Sequence, residues 1–547
     1  MAKRIAIIGG GSSGLTAIKT CLEEGFVPVC FERYSDIGGI WYYNDSVEEG
    51  RASVYKSCVI NTSKEMMAYS DFPMPVEFPP FIPHHMLLEY LRMYVDHFKL
   101  LPYIRFNTPV KNISKSPDYD TTGRWTVQFT NDNESKEELF DGVMVCTGHH
   151  HIPHMPSFKG QEVFAGHSFH SQQYRTPDCF RNKRVLVIGI GNSAVDIAVD
   201  AASTASQVFL STRRGAWVVS RMGIWGLPND ILANSRGVFK MGRRAMQAMV
   251  EKMANFRCDH EVYGLKPLHR GLEAHPTIND ELPQQIMKGK VKVKCNVSHM
   301  TENTVYFEDN TCADIDVIVY ATGYRYECPF LDQSILTIKE NRTRLYKYVF
   351  PPHLAHPSLG VIGLVQAVGA VMPLSEIQSR WFCKVIKGEC RLPPREVMLE
   401  DIFQKARKIE KEYLHTQRHA LETMWVPYMD EIADQIGVRP NFWQMAQTDP
   451  KFAFRCLFGP CVPAQYRLFG SHRWDGAKDC IENAYFNCSA PLTTRKVPPA
   501  PKRLTVSQHS SMSLFTGKTE KLSVPVDKST VVNLLKVLLF VFFLSCL

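Results

Sequence analysis

A chain of 547 residues exceeds what one hydrophobic core organises and implies about two to four domains. Its 45% hydrophobic and 22% charged residues are those of a globular protein, which excludes wholesale disorder, a small disulfide-stapled scaffold and a polytopic membrane protein. The net charge is +8, but seven Lys/Arg against two acids in 489–530 supply +5 of it; the remaining +3 is too little for a nucleic-acid footprint on the folded body.

The N-terminus reads strand, tight turn, helix: the apolar run Arg4–Ile8, then Gly9-Gly10-Gly11-Ser12-Ser13-Gly14, then helical character from Leu15 to Glu24. A second strand, Val27–Glu32, ends in an acid 18 residues beyond Gly14. In this context the glycines have separate tasks. Gly9 permits the turn, Gly11 lets backbone approach a pyrophosphate, and Gly14 lets the helix pack on its strand. Glu32 suits the ribose hydroxyls of FAD or NAD and repels a 2′-phosphate.

The same pattern returns about 180 residues later, where Arg184–Ile188 leads into Gly189-Ile190-Gly191-Asn192-Ser193-Ala194 and a helix from Val195 to about Thr204. The following strand, Gln207–Ser211, runs into Thr212-Arg213-Arg214 in place of an acid, and a guanidinium fork matches a 2′-phosphate, favouring NADPH. Two further apolar runs, Gly142–Gly148 and Asp316–Gly323, each finish in Thr-Gly, as expected at the ligand-binding ends of doubly wound sheets.

Between Gly215 and Lys294 the alternation stops, and the stretch reads as a mainly helical insertion. Helical spacing resumes over Glu396–Tyr428, and the aromatic-rich Pro440–Arg473 is expected to pack on the body. From Ser489 the composition becomes Pro, Ser, Thr and Lys, a linker. The last 17 residues, Val531–Leu547, are apolar enough for a membrane anchor and would reach about 25 Å as a helix. Sixteen irregularly spaced cysteines behind no secretory signal are expected to be reduced thiols facing the cytosol. Cys456 and Cys461 have a spacing that a redox disulfide could use, but they lie far from the first glycine motif, and packing is the expected role. The run His149-His150-His151 with His154 reads as a polar loop; no metal site is expected, because consecutive histidines converge poorly on one ion.

Two dinucleotide sites on one chain allow a hydride to pass from NADPH to a flavin. Between them stands Phe164-x-Gly166-x3-His170-x3-Tyr174, which resembles the fingerprint of the flavin-containing monooxygenases and their Baeyer–Villiger relatives. The resemblance continues through Glu32–Trp41, Asn61–Met67, Tyr263–Pro267, Asn279–Pro283, Ala321–Tyr324 and Leu374–Gln378. Tyr174-Arg175 is similar to the flavin-containing monooxygenases, which have Tyr or Phe and then usually Lys, where the Baeyer–Villiger enzymes have Trp-Pro. The segment Arg221–Asn229 departs from the pattern.

The resemblance implies an α/β fold of two Rossmann-type dinucleotide-binding domains with a helical insertion and a C-terminal hydrophobic anchor. It implies an FAD domain in two segments (1–155 and 331–445), an NADPH domain in two segments (156–214 and 295–330), the insertion (215–294), a C-terminal packing region (446–488), the basic linker (489–530) and the anchor (531–547). On these positions it places FAD against Gly9, Gly10, Gly11, Ser12, Ser13, Gly14, Glu32, Ile40, Trp41 and Thr62. NADPH is placed against Ile60, Gly189, Gly191, Asn192, Ser193, Ala194, Val195, Asp196 and Arg213. Asn61 would be the catalytic residue, at the flavin's reactive edge and donating to a C4a-hydroperoxyflavin. His170 and Tyr174 would shape the junction between domains, and Gln366 and Gln378 would lie on loops near the nicotinamide. The implied reaction is oxygenation by O2 of soft nitrogen or sulfur nucleophiles, amines and sulfides. Ketone oxygenation of the Baeyer–Villiger kind and uncoupled NADPH oxidation to peroxide stay open as alternatives. The implied location is the endoplasmic reticulum membrane, catalytic domains facing the cytosol, with the oligomeric state open.

Overall fold

The computed structural model describes residues 2–48, 50–132, 134–414 and 419–495. Its frame is two five-stranded parallel sheets. The first has the order Leu359–Val361, Gly142–Val145, Arg4–Ile8, Val27–Phe31, Ile104–Arg105. The second, read from the opposite edge, runs Val291–Lys294, Gln207–Ser211, Arg184–Ile188, Val317–Tyr320, His167–His170: its first four strands repeat the first sheet, and only its outer strand, earlier in the chain where Leu359–Val361 is later, differs. Each run read as a buried strand is one: Ile5, Ala6 and Ile7, like Val185, Leu186 and Val187, are fully buried between layers, as parallel sheets require.

Five boundaries or placements differ from the sequence reading. Both helices begin three residues early, at Ser12 and Asn192, because the glycine-loop residues already have helical dihedrals and form the first turn. The strand Val291–Lys294, inside the stretch read as an insertion, pairs in parallel with Gln207–Ser211, so the second sheet takes its edge strand from there. The rest of that stretch carries the helices Asn229–Ala233, Arg236–Phe239, Arg243–Arg257 and Leu282–Met287 between loops and the paired short strands Val218–Val219 and Thr277–Ile278, so helix accounts for less of it than expected. Neither glutamine lies on a loop: Gln366 begins the strand Gln366–Val368, and Gln378 is fully buried in the helix Met372–Lys387. The apolar 531–547 and the linker from 496 onward lie outside the described residues, and among those described no helix is long and apolar enough to cross a membrane.

Each sheet carries a three-stranded antiparallel meander, 110–140 beside the first and 297–314 beside the second. The segment 446–488 packs helices Pro450–Phe458 and Ala477–Ser489 into the core of the first unit, where Phe452, Cys456, Ile481 and Ala484 are buried. Cys456 and Cys461 are free thiols in that core, pushed by burial up to about 12 and about 11, so neither is poised for redox exchange.

Candidate active-site cleft

At the carboxyl ends of both sheets lies one cleft of about 1740 Å³, larger than the roughly 300–1,000 Å³ of a site for one small ligand. Gly9, Gly11, Ser12, Ser13, Glu32, Ile40 and Trp41 line one part of it; Gly189, Gly191, Asn192, Ser193, Ala194, Asp196 and Arg213 line another; Ile60 and Asn61 line the same cleft. Gly10, Gly14, Thr62 and Val195 do not line it.

The glycine turns explain the fit. Gly9 adopts φ +108°, and a Cβ on it would stand 2.8 Å from the Cys146 carbonyl oxygen. Gly189 adopts φ +131°, with the corresponding point 2.4 Å from the Ala321 oxygen. Both turns thus press backbone to backbone on the strands that end in Thr-Gly, and only glycine allows this. Helices Ser12–Glu23 and Asn192–Ala201 both start at a glycine, with no side-chain cap and no acid in the first turn. Their N–H groups are left for a ligand, and the macrodipole favours an anion. Two such ends in one cleft fit two diphosphates.

Glu32 is buried, and its carboxylate accepts from Gly10 N at 2.6 Å and Tyr34 N at 2.9 Å. Burial raises its pKa against the pull of those two hydrogen bonds. Each oxygen keeps a further acceptor site for a ribose hydroxyl. The loop after it is clamped from the other side: Gly38 N donates to Gly10 O at 3.1 Å, and Arg51 lies against the rings of Tyr34 and Tyr42.

Asn61 follows Ile60, whose N–H donates to Ile82 O at 3.0 Å, and precedes Ser63, whose N–H and hydroxyl both donate to Asp230 Oδ2, at 2.7 and 2.8 Å. Asn61 Oδ1 accepts from Arg221 Nη2 at 2.8 Å. Arg221 was invisible to sequence reasoning as a site residue, since its segment matched no pattern; the usable signal was a lone Arg within an otherwise apolar run. The segment 277–280 holds the second unit to these residues. Thr277 Oγ1 donates to Ile190 O, Ile278 N to Asn192 Oδ1, and Asn279 Nδ2 to Asp196 Oδ1. Tyr55 closes the junction by donating to Asp196 Oδ2 at 2.5 Å.

His170 sits between Gly323 O and Gln172 N, and burial lowers its pKa to about 4, so it is neutral at physiological pH. Tyr174 donates to Asp200 at 2.9 Å and stacks on Phe180. Gln366 begins a strand paired with Glu422–Met424 and lines the cleft, whereas Gln378 accepts from Gly363 N and donates to Tyr428, bracing the turn beside Ser13. His149, His150, His151 and His154 line the cleft wall, and the described residues hold no group of three or more His, Cys, Asp or Glu arranged for a metal.

The flavin-binding monooxygenase-like family model matches residues 2–517. The chain is 50% identical over 501 residues to flavin-containing monooxygenase 5 of Cavia porcellus, covering 90% of this chain and 94% of that one. It is 45% identical over 510 residues to dimethylaniline monooxygenase (N-oxide-forming) 2 of the same species, covering 92% and 95%. Among solved structures, S-allyl-L-cysteine S-oxygenase from Allium sativum superposes with TM-score 0.63 at 25% identity, covering 90% of this chain and 99% of that one. OTEMO, solved with FAD and NADP, shares the fold at TM-score 0.57 and 17% identity, covering 76% and 91%.

Proposed function

The chain belongs to the flavin-binding monooxygenase-like family, and from that membership we propose a working assignment of its cleft. The protein is an NADPH-dependent flavin monooxygenase that uses O2 to oxygenate nitrogen and sulfur nucleophiles. Bound FAD would supply the redox chemistry, linking hydride from NADPH to reduction of O2, with one oxygen atom passing to the substrate and the other to water.

The first unit would hold FAD, the N-terminus of Ser12–Glu23 receiving its diphosphate, Glu32 its ribose hydroxyls, and Ile40 and Trp41 lining the same part of the cleft. The second unit would hold NADPH, with Ser193, Ala194 and Asp196 at the helix start and Arg213 positioned for the 2′-phosphate. Asn61 is the fixed donor that holds the reactive oxygen, and buried Ile60 and Met67 keep that end dry. The chain needs no nucleophile of its own. The apolar 531–547 anchors the enzyme to the endoplasmic reticulum membrane behind a basic linker, the catalytic units facing the cytosol.

One observation carries the assignment: two uncapped helix ends, Glu32, Arg213 and Asn61 open into a single cleft. Asn61→Ala tests it. The variant keeps its flavin and still consumes NADPH, but delivers the electrons to hydrogen peroxide instead of a thioether or tertiary amine. An unchanged ratio of peroxide to NADPH would remove Asn61 from the mechanism.

A further inference from the structure

Arg221, at the head of the segment that departs from the family pattern, bonds Asn61 and Ile60 behind the cleft lining, with all three guanidinium nitrogens engaged. Nη2 donates to Asn61 Oδ1 at 2.8 Å, Nε approaches Ile60 O at 3.3 Å, and Nη1 pairs with Asp280 Oδ2 at 3.0 Å; the side chain is 12% exposed. Asp280 is itself held from the opposite side. Its Oδ1 accepts from Arg221 N at 3.1 Å and Arg257 Nη1 at 3.2 Å, with Ser220 also bonded to it.

A guanidinium offers donors and no acceptor, so the Asn61 atom that faces it has to be the oxygen. The amide nitrogen then points away from Arg221, with both hydrogens still available. A charged donor on the oxygen also polarises the amide and makes its N–H groups better donors. We propose that Arg221 is a positioning residue for Asn61, locking the amide so that its N–H donor serves the reacting oxygen. Asp280 pins the guanidinium in turn. This inference rests on the reading of Asn61 as that donor. Asn61 comes from the first unit, Arg221 from the start of the inserted stretch beside Val218–Val219, and Asp280 from its far end, just before the helix Leu282–Met287 that leads to the edge strand Val291–Lys294. The donor is therefore aligned only when all three are docked, which ties oxygen transfer to an assembled cleft.

Two readouts test the proposal in the full-length holoenzyme and its apo form. In turnover with a thioether, Arg221→Met and Arg221→Lys keep their flavin content and raise peroxide per NADPH roughly tenfold, as loss of a charge-assisted hydrogen bond implies. The double variant Asn61→Ala/Arg221→Met uncouples no more than Asn61→Ala alone. Without turnover, thermal unfolding of the four apo proteins gives a non-additive cycle, reporting the contact itself. Arg221→Met strands no buried carboxylate, because Asp280 keeps Arg257 and Ser220. If that variant nevertheless loses flavin, Asp280→Asn, which frees the guanidinium and keeps its charge, carries the same expectation of uncoupling. Wild-type coupling in Arg221→Lys would show that charge alone suffices and overturn the proposal, as would additive effects in the double variant. Coupling retained in Asn61→Ala defeats the reading of Asn61 itself; uncoupling there with tight Arg221 and Asp280 variants defeats this inference alone.

Discussion

The two dinucleotide units are built alike and finished differently. Four strands of each follow the same order, their glycine turns press on equivalent carbonyls, and Gly9 N and Gly189 N donate to Phe31 O and Ser211 O at the same 2.9 Å. The register then separates them. Ile8 pairs with Phe31 and Ile188 with Ser211, so Thr212 takes the place of Glu32, and Arg213 falls one residue later, opposite Arg33. Glu32 is buried against backbone N–H groups, whereas Arg213 is exposed in the cleft. The fold supplies two sites for diphosphates, and the side chains at one register position and the next decide which ribose each accepts.

The units differ as well in how closely helix and turn pack. A Cβ on Gly14 would lie 1.8 Å from Gly9 O, a backbone atom with nowhere to go, while the second unit already carries a methyl at the equivalent Ala194. The largest expected effect follows: Gly14→Ala yields protein without flavin, and Ala194→Gly yields protein with full flavin at a cost of about 1 kcal/mol in helix propensity. Flavin absorbance per chain measures both. Full flavin in Gly14→Ala would mean that the first helix can stand off like the second.

Next in size is the charge at the second site. Arg213→Ala should cut the preference for NADPH over NADH about 10- to 100-fold, the range of a charge-assisted hydrogen bond, and leave flavin content alone. Steady-state kcat/KM with each nucleotide checks it. An unchanged ratio would pass the role to Arg214, which lines the same cleft.

The shared frame of the two units was legible because parallel strands buried on both faces spell out apolar runs and the turns between them require glycine. Arg4–Ile8, Arg184–Ile188 and Gln207–Ser211 match their observed bounds for that reason. Contacts made across hundreds of residues left no local mark. The pairing of Val291–Lys294 with Gln207–Ser211, the burial of Gln378 behind the Gly363 turn and the grip of Arg221 on Asn61 each depend on tertiary geometry that no spacing encodes. Charged residues were the least legible of all, since no spacing marks Lys19, Asp71, Glu376 and Arg467, which form a buried network.

That network marks the last contrast between the units. The first is welded to the C-terminal region, where Arg467 bonds Glu376, Asp71 and Ser70, while the second has a core of its own. At the weld, Glu65 is buried where the short helix Lys64–Met67 meets Ala477–Ser489. Burial pushes its carboxyl up to about 7, with Lys64 and Asn487 only partly opposing. The folded-state pKa lies above the unfolded one, so the native state binds the extra proton. The associated stability is complete below about pH 4.5 and is lost as pH rises through 7. Across that window the shift amounts to about 3 kcal/mol. Glu65→Gln, neutral at every pH, should therefore unfold at a higher temperature than the parent near pH 8 and at the same temperature near pH 4.5. An equal difference at both pH values would mean that the carboxyl stays ionised in the weld, and that Lys64 is its true partner.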